Sequence, residues 1–190
     1  MRNYILDRVR EAEEVRSAIA NSPSILAAIE TVTDHLAAVI QAGGSIFFCG
    51  NGGSAADAQH LATELSGRFF IDRKAIRAEA LGTNMAFATA IANDYDFSRI
   101  YARSLEALGS KGDALVLLST SGSSPNIIAA AKQAQEMQVS TVGLTGLQGT
   151  ALTALCDYSI IMPSKSVPRI QEAYMLVGHI MCEHLENTLF

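Results

Sequence analysis

The sequence predicts an α/β fold: a doubly wound, five-stranded parallel sheet flanked by helices, preceded by two further helices. Three observations predict it. From residue 45 onward, short apolar runs alternate with helical patterns. Several runs are continuously apolar, as in Ala114-Leu115-Val116-Leu117-Leu118, which is the pattern of strands covered on both faces. Two of them lead into Gly/Ser loops that open a helix, and in open α/β sheets such loops lie beyond the carboxyl ends of strands, where ligands bind.

Residues 3–20 carry Tyr4, Ile5, Val9, Val15 and Ile19 among charged residues, an amphipathic helix. Asn21-Ser22-Pro23 breaks it, and serine before proline opens a second helix running to about Gln41 and ending at Gly43-Gly44. With no sheet crossover to make, these helices bury their apolar faces against the core or another subunit, so oligomerisation is expected. Strands are expected at 45–49, 76–82, 113–119, 140–145 and 158–162. Helices at 54–67, 84–91, 98–108 and 125–138 connect them, with a short turn near 150–156. A last helix runs from Pro168 to about Asn187. The expected organisation is one domain over 1–190: a helical pair (1–43) and an α/β sandwich (44–190).

The 190 residues can bury a real core, and 49% hydrophobic with 17% charged content suits a folded, soluble protein. A net charge of −5 argues against nucleic-acid binding, although backbone amides can still hold a phosphate. Cys49, Cys156 and Cys182 form no metal-like pair and suggest reduced, buried thiols. Arg2, Asp7, Arg8 and Arg10 break up any signal-type segment, and no uncharged apolar run reaches about 20 residues. A cytoplasmic protein without a membrane partner is expected.

The chain is organised around Cys49-Gly50-Asn51-Gly52-Gly53-Ser54 and the Ala-rich helix that follows. Its glycines allow positive φ and close approach of a ligand, and Ser54 stands where a helix N-cap should be. The second loop, Ser119-Thr120-Ser121-Gly122-Ser123-Ser124, precedes a helix starting near Pro125. Either loop alone is a plain connection; both at one end of the sheet point to a ligand site. There is no P-loop lysine and no dinucleotide spacing, so a hydroxyl-based grip suits a sugar monophosphate better than ATP. One turn into the first helix, His60 and Glu64 share a face; a carboxylate can move a proton between adjacent carbons and an imidazole can ligate zinc. In the last helix, His184 and Glu183 read as a solvated face, and His179 as a histidine among apolar neighbours. Gln171 and His179 lie eight residues apart, roughly 12 Å along a helix, so two subunits contributing one each is the easier way to a shared site. Asn93-Asp94 follows the helix after the second strand, within reach of sugar hydroxyls.

The segments CGNGGSAADAQH, TELSGRF, AIANDYDF, EALGSKGD, LLSTSGSSPN, VGLTG and PRIQEAYMLVGHIMCE resemble the phosphoheptose isomerases of the sugar isomerase (SIS) domain superfamily, over essentially the whole chain. The resemblance implies an aldose–ketose isomerase acting on sedoheptulose 7-phosphate, in a cytoplasmic homotetramer with one zinc per subunit and sites between subunits. It implies His60, Glu64, Gln171 and His179 as zinc ligands, with Glu64 as base and His179 as acid. Asn51, Gly52, Gly53, Ser54, Glu64, Asn93, Asp94, Ser119, Thr120, Ser121, Ser124 and Gln171 would bind substrate. The chain departs from the family where many members read LTTD, having Leu81-Gly82-Thr83-Asn84, at Gln148-Gly149 and at Val167. The competing readings are a different sugar-phosphate isomerase or epimerase on the same fold, and a non-catalytic SIS regulator that binds a sugar phosphate or a replication initiator. Glu186-Asn187-Thr188-Leu189-Phe190 resembles the tail of a relative that binds the replication initiator, but such a protein has no need of His60, Glu64, Gln171 and His179 together.

Overall fold

The computed structural model describes residues 2–190. Helices α1 (Arg2–Ala20) and α2 (Pro23–Gln41) come first, and Ser22 caps α2 by accepting the Ile25 N–H. The strands are β1 (Ile46–Gly50), β2 (Ala78–Ala80), β3 (Ala114–Ser119), β4 (Ser140–Gly146) and β5 (Tyr158–Met162). They form one sheet in the order β2-β1-β3-β4-β5, with every pair parallel. Between the strands lie α3 (Gly53–Ser66), α4 (Met85–Asp94), a 3₁₀ turn (Phe97–Arg99), α5 (Ile100–Leu108), α6 (Pro125–Glu136) and α7 (Thr150–Thr153). Helix α8 (Val167–Leu189) closes the fold.

From β1 the chain steps outward to β2, then crosses back to the other side of β1 as β3. The order reverses between β1 and β3, so the loops after these two strands border the switch-point crevice. Alternate residues of the buried strands feed two apolar layers. Phe48, Val116, Leu118 and Leu144 pack with Leu36, Leu61, Leu65, Tyr174 and Val177 from α2, α3 and α8. Phe47, Cys49, Leu115 and Leu117 pack on the other face with Leu105, Ile127, Ala130 and Ala134 from α5 and α6. Helix α2 is long and apolar enough to cross a membrane by length and composition. Here it buries Ile29, Val32, Leu36 and Val39 in the core and carries Glu30 and Asp34.

Several boundaries differ from expectation, some of them with a visible cause. Strand β2 is three residues rather than 76–82, because the Ile76 N–H bonds to the Leu65 carbonyl at the end of α3 and Gly82, at φ +80°, turns the chain away. Helix α4 continues past 91 and takes in Asn93 and Asp94 as its last residues. Ser54 is not the cap of α3: Gly52, at φ +56°, turns the chain two residues earlier and takes that position. Ser54 is left buried inside the first turn, with its N–H on the Asn51 carbonyl. The cysteines are free, with Cys49 and Cys182 buried and Cys156 partly so.

Candidate active site

The loops after β1 and β3 are tied to each other. Asn51 and Asn126 exchange two amide hydrogen bonds, of 2.8 and 2.7 Å, and the Tyr101 hydroxyl donates to the Gly50 carbonyl. The Asn51 side chain therefore joins the loops. Gly50 has no room for a Cβ, which would sit 2.4 Å from the Ser54 carbonyl oxygen, so strand and helix approach as closely as backbones can. In the second loop the Ser119 hydroxyl accepts the Gly122 N–H and the Ser121 hydroxyl accepts the Ser123 N–H. Ser124 takes the N-cap position of α6 without spending its hydroxyl on a cap bond, so that hydroxyl stays available beside Ser119. Thr120, Ser121 and Ser124 are accessible from solvent, whereas Ser119 is buried.

Helices α3 and α8 lie side by side and run parallel, and their contacts form successive layers. Gln171 meets Gly53 at the start of α3, where an added Cβ would stand 2.4 Å from its amide nitrogen. Gly178 makes room for Leu61. In the same layer His179 meets His60, with the two Nε2 atoms 2.9 Å apart, and Glu64 Oε1 is 3.3 Å from His60 Nε2. One ligand atom from each of His60, Glu64 and His179 falls within 4.8 Å of the others. Three of the four expected metal ligands are thus gathered within one chain. Gln171 lies about two turns before His179 along α8, with its amide beside Gly53 and Asp57. Asn93 and Asp94 are exposed at the end of α4 and bond to each other. His184 lies on the surface 3.4 Å from Asp34.

The cluster fits a metal. Two imidazole nitrogens facing each other at 2.9 Å need a proton or a cation between them, and two histidines with a carboxylate are a common zinc donor set. Sequence reasoning missed Asp57, whose Oδ2 is buried without a partner among the described residues. Burial pushes its carboxyl above the usual range, while the Gln171 amide and His60 pull it back. Its position one turn before His60 on the same helix was the available signal.

An SIS domain model matches residues 9–146. A phosphoheptose isomerase from Burkholderia pseudomallei is 43% identical over 187 residues, covering 98% of this chain and 95% of that one. The chain belongs to the phosphoheptose isomerase family of SIS domain proteins. The phosphoheptose isomerase of Aneurinibacillus thermoaerophilus is also 43% identical, over the whole of this chain and 96% of its own length. The solved phosphoheptose isomerase of Neisseria gonorrhoeae superposes with a TM-score of 0.92 at 33% identity, covering 98% of both chains. The departures from the family pattern now have locations. Asn84 caps α4 by accepting the Phe87 N–H, work that aspartate does equally well. Gly149 packs against Gly122 and Thr145. Val167 is the exposed first residue of α8, and nothing in the structure explains the choice.

Proposed function

We propose that the chain interconverts sedoheptulose 7-phosphate and D-glycero-D-manno-heptose 7-phosphate, the aldose–ketose step that opens heptose biosynthesis for lipopolysaccharide. The observation that carries this reading is the grouping of His179 with His60 and Glu64 on the helix that follows a glycine-rich loop, which a hydroxyl-rich loop joins at the switch point of the sheet. The regulator alternative is not favoured, since phosphate sensing requires no such group.

The amides and hydroxyls of Gly52, Gly53, Ser119, Thr120, Ser121 and Ser124 hold the phosphate and nearby hydroxyls, with Ser54 buried behind them and Asn51 fixing the loops. Gln171 approaches the same end of the site, and Asn93 and Asp94 are assigned to the sugar chain. Glu64 takes a proton from C1 of the ketose, the C1–H electrons form the C1=C2 bond, and the C2 carbonyl oxygen accepts a proton from His179. In the second half, the proton on Glu64 returns to C2, the O1–H proton passes to His179, and the aldehyde forms at C1. His60, Glu64 and His179 would hold one zinc per subunit, with Gln171 as the fourth donor. Bound there, zinc supplies Lewis-acid polarisation of the carbonyl and holds the cluster together. We assign the chain to a cytoplasmic homotetramer with sites at subunit interfaces. Residues 1–43 serve that assembly, and the whole of 1–190 is one SIS domain.

The experiment is turnover of sedoheptulose 7-phosphate by the wild type, with and without chelator, beside Glu64→Gln. The variant should lose about 10³-fold in kcat with little change in KM. Chelation should lower wild-type activity, and indifference to it would remove zinc from the reading. A wild type that binds the sugar phosphate without turning it over would shift the choice to the regulator.

A further inference from the structure

At the far end of the α3–α8 pair lies a buried polar cluster that the reaction above does not use. Arg73 belongs to the irregular segment 67–77 linking α3 to β2, and Glu186 belongs to α8. Their side chains are 1% and 3% exposed, and Arg73 Nε donates to Glu186 Oε1 at 2.8 Å. The guanidinium also donates from Nη2 to the Glu64 carbonyl at 2.9 Å and from Nη1 to the Leu65 carbonyl at 2.7 Å. These are last-turn carbonyls that a helix end leaves without partners, and a cation there opposes the negative end of the helix dipole.

Glu186 does the complementary work. Its oxygens accept the N–H of Phe69 at 3.1 Å and of Phe70 at 2.9 Å. The ring of Phe69, anchored in this way, stacks on the His179 imidazole with centroids 5.7 Å apart and planes 18° from parallel. Phe190 covers the other side, with its ring 5.6 Å from the Arg73 guanidinium carbon. One ion pair thus holds the main chain of Glu64 and, through Phe69, the ring of His179.

We propose that Arg73 and Glu186 are positioning residues, a buried clasp that sets the Glu64 carboxylate and the His179 imidazole relative to each other. The proposal rests on the isomerase reading. It gives Glu186 and Phe190, in the tail segment that resembles an initiator-binding relative, an internal role instead of a docking one. A buried ion pair adds little net stability once desolvation is counted, so its directional bonds are what the site draws on. Lysine cannot replace the planar fork that reaches Glu186 and two carbonyls at once.

The test compares full-length Arg73→Lys, Glu186→Gln and Phe190→Ala in three measurements: isomerase kinetics, urea unfolding and amide hydrogen exchange over 67–77. The first two variants should stay folded and keep KM within about 3-fold, because the phosphate loops lie at the opposite end of the helix pair. Their kcat should fall at least about 10-fold, since misplacement near the chemistry is costly. The Phe69 and Phe70 amides should exchange faster, and Phe190→Ala should shift both readouts the same way by less. Folded variants with unchanged kcat and unchanged exchange would overturn the proposal, as would activity lost only in proportion to unfolded protein. If Arg73→Lys and Glu186→Gln do not fold, Phe190→Ala decides by the same two readouts. A wild type inactive on this sugar would sink the isomerase reading, while exchange alone would still support or overturn the clasp.

Discussion

The Glu186 carboxyl is held below the usual carboxylate range. Burial alone would raise it, and the Phe70 and Phe69 amides with the Arg73 guanidinium outweigh that effect. Because the folded value lies below the unfolded one, about 4.3 for glutamate, the folded state binds fewer protons across that interval. The stabilisation is complete above the unfolded value and is lost as pH falls through the folded one. Wild-type stability in urea should therefore decline from about pH 5 downward, and Glu186→Gln, which has no proton to gain, should decline less steeply. At pH 7 the variant should be less stable by about 3 kcal/mol, since Arg73 loses its counter-charge. Equal acid slopes in the two proteins would mean that this carboxyl does not couple folding to pH. None of this could be read from the residues alone. Arg73 and Glu186 are 113 positions apart and only the fold joins them. Asn51 was similarly half legible: its glycine-rich setting marks a ligand loop, but its amide partner Asn126 comes 75 residues later.

At the scale of elements, the strand–loop–helix alternation was legible because apolar runs and glycine punctuation are local signals. Boundaries were not, where a distant contact or one φ angle decides them. Gly52 displaces Ser54 from the cap, and Gly82 shortens β2. Gly122 shows the energetic side of the same point. It adopts φ +62°, and an added Cβ would stand 2.3 Å from the Gly149 Cα, where backbone cannot give way. Gly178 offers a contrast, since its added Cβ would meet side-chain atoms alone, the Leu61 methyls at 2.6 and 2.8 Å and its Cγ at 3.2 Å. Gly122→Ala should therefore cost about 3 kcal/mol and raise KM by distorting the phosphate loop. Gly178→Ala should cost less, as repacking and better helix propensity offset the crowding. Urea unfolding of both variants, with KM for the first, checks the ranking. A Gly122→Ala protein as stable as the wild type would show that the loop after β4 can move aside.

Over the whole molecule, the proposed assembly turns on which chain supplies Gln171 to each site. Within a chain, α3 and α8 bring His179 to His60 and Glu64, but leave Gln171 beside Gly53. The sequence pointed to all four residues, yet spacing along one helix could not reveal that α3 runs parallel to α8 and collects three of them. The outer face of α1 keeps Tyr4, Ile5 and Val9 half or more exposed, an apolar surface suited to a second copy. If assembly brings another chain's Gln171 to each His60–Glu64–His179 group, two separately inactive variants will complement each other. Chains carrying Glu64→Gln and Gln171→Ala, mixed and reassembled, should recover activity at up to about one quarter of the sites by random pairing in a closed oligomer. If Gln171 instead acts on substrate held by its own chain, every mixed site keeps one defect and the mixture stays as inactive as its parts. Recovery should then vanish when Ile5→Glu and Val9→Glu are added to both partners, because charge on the α1 face removes the contact through which the sites are shared.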